Sequence, residues 1–587
     1  MAVDPRILHC DSKYRYYLQL TSRQGGDMRA TQSNGGLKVN AIAGTYVVTF
    51  GLDLPQDQCD NLMGFSFHRR DHNEDEAYFL EAMKCFAETD PGFPAGAQYP
   101  TNEQPIQSFQ WADYSAKPGY RYTYTITALK GSPTALTPHA AVAIEVETEN
   151  PEGGDHDVYF NRGVAASQAY VARFGNRKPK DVQNNQAWIW LSRGLYEAME
   201  AFINDAQPGT HSLRIAAYEF HYLPFLKVVK AAIGRGVDVE VIYDGREAKP
   251  GDANRAAVIE VDGAGGSLLG NHCKQRKTNP SYISHNKFIV KLENGQPKYV
   301  WTGGTNFSDG GIFGHSNVAH VVEDPDVAQR YLDYWTALHD DPANADLAPI
   351  TEQLTPLPAI PPPAGTSIVF SPRSTLDALQ WYADVAATAQ QGLFMTFAFG
   401  MHDLFKDVYR TSPAPFRLAL LEKATRPLEK GSPERIAEEQ AIQDLRNMPE
   451  NTFAIGSLIA TNKIDGWVKE TLSGLNSKVK YVHNKFMIID PMSDNPVVVG
   501  GSANFSAAST NQNDENMIIV VGNKRVADIY LGEFMRLYSH HAFRESLKWR
   551  EADDPPKPLR TDDWWSDYFG DTERSARRQF FARQLSE

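Results

Sequence analysis

The string Tyr282-Ile283-Ser284-His285-Asn286-Lys287-Phe288-Ile289-Val290 recurs with few changes as Tyr481-Val482-His483-Asn484-Lys485-Phe486-Met487-Ile488-Ile489-Asp490. The two histidines stand 198 positions apart. Each copy is followed by a glycine-rich turn ending in Asn-Phe-Ser. One turn is Gly303-Gly304-Thr305-Asn306-Phe307-Ser308 and the other is Gly500-Gly501-Ser502-Ala503-Asn504-Phe505-Ser506. Asn306 and Asn504 repeat at the same offset of 198. Two such strings in matched register mean an internal duplication, and the rest of the chain reads as scaffold around it.

Residues i and i+2 of a strand point to one face. His285 and Lys287 therefore project together, as do His483 and Lys485, while Asn286 and Asn484 point the other way. The apolar runs that follow anchor each strand in a core. If the halves pack about a pseudo-twofold axis, both pairs meet at one site. Cleavage of a phosphodiester through a covalent intermediate needs a nucleophile on one side of phosphorus and a proton donor on the other. Imidazole serves as either, because its pKa lies near neutrality. Lysines neutralise the non-bridging oxygens as charge builds in the transition state, and Asn306 and Asn504 can donate amide hydrogen bonds to them. Gly303, Gly304 and Gly501 let backbone come close to the site. Thr305 and Ser502 either add hydroxyl donors or serve the turn. No metal or other cofactor is expected, since two lysines supply the positive charge that a cation would bring.

His-x-Lys, then Asp after four further residues, then Gly-Ser-x-Asn resembles the signature of the phospholipase D/nuclease superfamily, over roughly residues 160–550. The wording, with Asn513-Asp514-Glu515-Asn516, looks most like the bacterial endonuclease-type branch. The resemblance implies an α/β protein of two pseudo-twofold-related halves, each a mixed sheet flanked by helices. The halves are unequal. Asp490 in motif two matches Leu292 in motif one. Glu515 stands where the endonuclease branch carries the acid that orients its histidine, and the same count in the first half reaches Asn317, or Ser316 with one gap. His483 is therefore expected to have Glu515 as its orienter, which suits a general acid, and His285 is expected to be the nucleophile. The family's usual order agrees, and tyrosyl-DNA phosphodiesterases likewise have a non-carboxylate partner in their first half.

Taken in order, residues 1–150 read as an all-β, sandwich-like accessory domain: runs at 14–20, 45–50 and 120–129 are β-rich, and the last alternates with period two. That last run is similar to a late strand of a fibronectin type III or immunoglobulin-like sandwich, which leaves room for a protein partner. Residues 151–345 form the first half, with a helix expected over 187–206, strands over 213–220 and 237–243 and a helix over 223–233. Residues 346–366 read as a proline-rich spacer. Residues 367–550 form the second half, with helices expected over 376–389 and 416–424 and strands over 393–399 and 453–459. Residues 551–587 form an aromatic and basic tail, read as packing. Lys274, Arg276 and Lys277 before motif one, and Lys463 and Trp467 before motif two, are candidates for substrate contact, the last two as a charge and a stacking face.

The 587 residues, 42% hydrophobic and 22% charged, allow about three domains. A net charge of −14 disfavours a surface coated for nucleic acid without excluding a local basic groove. The four cysteines, Cys10, Cys59, Cys85 and Cys273, lack metal-ligand spacing and read as free thiols. No hydrophobic signal core or transmembrane run stands out, so the cytoplasm is the expected compartment, with export by another route open. Motif wording favours a nuclease acting on nucleic acid. The alternative is a phospholipase D that hydrolyses or transfers phospholipid head groups to give phosphatidic acid. A third reading, motivated by Leu292 and Asn317, is a binding protein that has lost turnover. Duplication lets one chain build a complete site as a monomer.

Overall fold

The computed structural model describes residues 28–90, 96–163, 168–456, 481–546, 557–583 and 585. Two seven-stranded mixed sheets share one strand order. In the first, the order across the sheet is His156–Phe160, Val318–Glu323, Gln296–Gly303, Lys287–Glu293, His211–Ala217, Asp238–Asp244 and Cys273–Arg276. In the second it is Gly365–Ser371, Glu515–Val521, Val497–Gly501, Phe486–Ile489, Gly392–Phe397, Phe416–Leu421 and Asn451–Ile455. In both, the first five strands pair antiparallel and the last three, counting the fifth again, pair parallel. The duplication read from two short strings is thus a duplication of a whole sheet. One continuous apolar core joins the halves, with Phe288, Tyr331 and Tyr334 of the first meeting Phe370, Phe486 and Tyr530 of the second. The Tyr334 and Phe370 rings stack at 4.2 Å.

Two four-stranded sheets precede these halves and face one another. Strand Arg121–Ser132 buries Tyr122, Tyr124, Ile126 and Ala128 and turns the intervening residues outward, as its alternation requires. Trp564, Trp565 and Tyr568 of the tail are buried in this same core, and the indole of Trp564 donates to the Leu62 carbonyl at 2.6 Å. Helix Glu573–Phe581 then places Phe580 and Phe581 in the core between the two halves. The tail therefore joins the β region to the duplicated unit. Cys59, Cys85 and Cys273 are free thiols, and Cys10 lies outside the described residues, as does the run at 14–20.

Four local expectations are corrected. Residues 416–424 are not helical: Phe416–Leu421 is a strand buried on both faces. Its Leu- and Ala-rich run has no period, so helix and central parallel strand look alike in it. The helix expected over 187–206 is two helices, Gln186–Ser192 and Leu195–Asn204, broken where Arg193 and Gly194 take left-handed backbone. The proline-rich spacer begins as a helix, Asn344–Leu354, with Pro349 inside it. The basic loop before motif one contains an edge strand, Cys273–Arg276, paired to Val241–Asp244.

Candidate active site

His285 and His483 each lie just before a central strand, and Lys287 opens the first of these strands. The segments before them are locked across the halves. Asp514 N–H donates to the Ile283 carbonyl at 3.1 Å, and Ser316 N–H donates to the Tyr481 carbonyl at 2.8 Å. These bonds are pseudo-twofold images of one another. A second image pair fixes the residue before each histidine. The Asp244 carboxylate accepts from Ser284 N–H at 3.3 Å, and that of Glu422 accepts from Val482 N–H at 2.9 Å. Neither acid was singled out from sequence. Asp244 closes a readable strand and was within reach, whereas Glu422 was hidden in the run mistaken for helix.

The orienters are crossed. His285 Nδ1 meets Glu515 Oε2 at 2.8 Å, and His483 Nδ1 meets Asn317 Oδ1 at 3.0 Å. The expectation that Glu515 orients His483 is therefore corrected. Glu515 opens a strand of the second sheet but reaches over the axis to the first motif, and Asn317 does the reverse. Each lysine ammonium donates to the carbonyl of its own motif's histidine, Lys287 to His285 and Lys485 to His483, the latter at 2.6 Å. All four side chains are at least 95% buried. The Tyr218 ring lies 4.8 Å from that of His285 and 5.0 Å from Lys287 Nζ. The Oδ1 atoms of Asn306 and Asn504 have no hydrogen-bond partner among the described residues. Gly303, at φ 128°, and Gly501 sit where a Cβ would run into the carbonyls of Val318 and Asn516, so only glycine admits the turn. Gly304 lies beside the Asn317 amide.

Other candidates serve the scaffold. Ser502 Oγ accepts from Asn516 N–H at 3.0 Å and Thr305 Oγ1 donates to the Val318 carbonyl at 3.1 Å, so both hydroxyls are taken by the turns. Asp490 lies beyond the far end of its strand and caps the chain before Gly392–Phe397, accepting from Gln391 and Gly392 N–H at 2.7 and 2.9 Å. The Arg276 guanidinium is taken up by the scaffold. It is 4% exposed, pairs with Asp514 at 2.8 Å and donates to the Leu338 carbonyl at 2.7 Å. Lys274 is half-buried on the edge strand, and Lys277 is exposed, its backbone N–H held by Asp341. Lys463 and Trp467 lie outside the described residues. Because Asp514 adjoins Glu515, the buried Arg276–Asp514 pair also holds the acid at the site. Arg276→Ala is expected to destabilise the fold by about 3–5 kcal/mol, read by urea unfolding, since it strands a buried carboxylate. A loss below about 1 kcal/mol would show that the carboxylate finds water.

Burial is the leading cause of every shift here. It holds His285 down at about 4 against the pull of Glu515 in the other direction, Lys287 at about 7, and His483 and Lys485 well below their ordinary ranges. His483 is further lowered by Lys485, Lys287 and His285, and His285 by Lys485, so the two motifs feel one another's charge. Burial disfavours the Lys287 ammonium, so this group is expected to give up its proton above about pH 7 and to regain it when an anion binds beside it. Sulfate affinity is therefore expected to rise as pH falls from 9 toward 7, by up to about tenfold per unit for the proton Lys287 takes up, and to level off below. Calorimetry in buffers of different ionisation enthalpy reads that uptake, and an affinity independent of pH would contradict it.

Fold and site together define a pair of duplicated α/β units that complete one another's histidines. A family model described as "Cardiolipin synthase, PLD-like domain" matches twice, over residues 199–338 and 395–538, one motif in each match. The chain carries two phospholipase D-like domains. Among solved structures it is similar to Nuc from Salmonella typhimurium, a phospholipase D family member, at 27% identity and TM-score 0.20, over 24% of this chain and 84% of that one. It is also similar to phosphatidylserine synthase from Haemophilus influenzae Rd KW20, at 11% identity and TM-score 0.41, over 60% and 85%. Yeast tyrosyl-DNA phosphodiesterase matches at 14% identity and TM-score 0.32, over 55% and 86%. No curated protein sequence matches the chain. No helix among the described residues is long and apolar enough to cross a membrane.

Proposed function

We propose that this protein is a metal-independent phosphodiesterase that works through a covalent phosphohistidine and acts on nucleic acid. The observation that carries the reading is the crossed pairing of His285 with Glu515 and His483 with Asn317. Both imidazoles are held by Nδ1, which leaves both Nε2 atoms for chemistry. His285 Nε2 attacks phosphorus and the P–N bond forms. The entering phosphodiester anion offsets the burial and the lysine charges that keep His483 neutral, and the ring takes up a proton; as the bond to the leaving oxygen breaks, imidazolium His483 gives that oxygen its Nε2 proton. Water then attacks phosphorus, His483 takes its proton, and the P–N bond breaks to return His285. Lys287, Lys485, Asn306 and Asn504 hold the non-bridging oxygens throughout.

The orienters support these roles on different grounds from those the sequence offered. A carboxylate on His285 raises the nucleophilicity of its ring and stabilises the positive charge of the phosphoryl adduct. A neutral amide on His483 leaves its imidazolium without a counter-charge, and so ready to part with a proton. Asn317 also speaks for a working first half, because its amide holds His483 by Nδ1 as Glu515 holds His285. Nucleic acid is preferred to phospholipid on the wording of the motifs, and Phe313, in the turn after motif one, is 1% exposed and packed against Trp188 and Tyr222, so it offers no apolar surface to a bilayer. The N-terminal β region is read as an accessory module. The test is incubation with single- and double-stranded DNA, RNA and phosphatidylcholine, each with and without chelator. Cleavage of nucleic acid in the presence of chelator is expected. Turnover of lipid alone would overturn the substrate, and full loss with chelator the mechanism.

A further inference from the structure

His315 belongs to no motif, yet it lies against the proposed acid. Its ring stacks on that of His483 with centroids 4.3 Å apart and planes at 29°, and it is 4% exposed. The amide of Asn317 ties the two rings together. Asn317 Nδ2 donates to the Gly311 carbonyl at 2.7 Å and to His315 Nδ1 at 2.8 Å, and Oδ1 faces His483 Nδ1 at 3.0 Å. A carbonyl only accepts, so the Gly311 contact fixes which end of the amide is nitrogen. Two tautomers follow. His483 carries a proton on Nδ1, and His315, accepting at Nδ1, carries its own on Nε2.

The orientation of this amide decides whether His483 can act as an acid. With Oδ1 toward it, the ring can hold protons on both nitrogens. With Nδ2 toward it, Nδ1 must stay bare and the imidazolium cannot form. The first motif has no such device: Asn513 takes the place of His315, its Nδ2 3.4 Å from Glu515 Oε1.

We infer that His315 is a positioning residue for the leaving-group side of the reaction, holding the Asn317 amide and the plane of His483 in the arrangement that lets His483 deliver its proton. This rests on the assignment of His483 as acid. A positioning role on one step makes a distinctive prediction, because a phosphodiester whose leaving group needs no proton escapes the effect.

The test uses phosphodiesters with one common phosphoryl group and p-nitrophenol, phenol or a simple alcohol as leaving group. His315→Phe keeps a stacking ring and removes the acceptor. In the first turnover, before water enters, it is expected to slow release of the alcohol about 10- to 100-fold and to change the burst of p-nitrophenol by no more than about twofold. His315→Gln, which offers an amide oxygen in place of Nδ1, is expected to restore the alcohol ester to within a few fold. Should the phenylalanine variant not fold, His315→Ala takes its place in the comparison. An equal loss across the series, with the unsubstituted protein active, would mean a merely structural role and overturn this inference alone. An unsubstituted protein inert on every ester would overturn the phosphodiesterase reading and this inference with it.

Discussion

Replacing His285 with alanine is expected to reduce phosphodiester cleavage by about 10⁴-fold or more, for activated and unactivated leaving groups alike, because it removes the proposed nucleophile. His483→Ala is expected to differ in kind. Its loss should be of the same order with an alcohol leaving group, but the first step should survive with p-nitrophenol, which departs without a proton. That variant should release about one equivalent of p-nitrophenol in a burst and then stall, since His483 also activates the water of the second step. Stopped-flow absorbance reads both phases. A burst from His285→Ala and none from His483→Ala would exchange the two roles.

Glu515→Ala is expected to lower kcat about a thousandfold with little change in KM, as loss of a buried acid that fixes and charges a reacting imidazole does elsewhere. The side of the reaction on which it falls is the discriminating point. Glu515 holds the nucleophile, so the loss should persist with p-nitrophenol. Had it held His483, as its nearness in sequence suggests, an activated leaving group would relieve most of the loss. Asn317→Ala should show that relief. Paired first-turnover rates on p-nitrophenyl and alcohol esters for the two variants test the crossing in solution, and matched relief in both would contradict it.

The motifs were legible because function places the same residue types at the same spacing twice. The strand after each motif was legible because Phe288–Val290 and Phe486–Ile489 are apolar and follow a polar turn. The crossing was not legible. Glu515 stands 32 residues after His483 and 230 from the histidine it touches, and a twofold arrangement offers the same offset to either partner. Only packing of the two sheets decides which partner is met. Arg276 looked like a substrate contact because its neighbours are basic. Its true partner, Asp514, lies 238 residues away in the other half. His315 was invisible for a different reason: comparison of the halves finds Asn513 in its place, so repetition gave no signal. Phe416–Leu421 shows the limit of periodicity, since a strand buried on both faces has no alternation to read.

The most direct test of the account is to react the His483→Ala protein with bis(p-nitrophenyl) phosphate, quench it in alkali, where phosphohistidine endures, and map the adduct by mass spectrometry. A single p-nitrophenyl phosphoryl group on His285 is the expected result. Phosphorylation of any other residue, or steady turnover with no adduct at all, would contradict it.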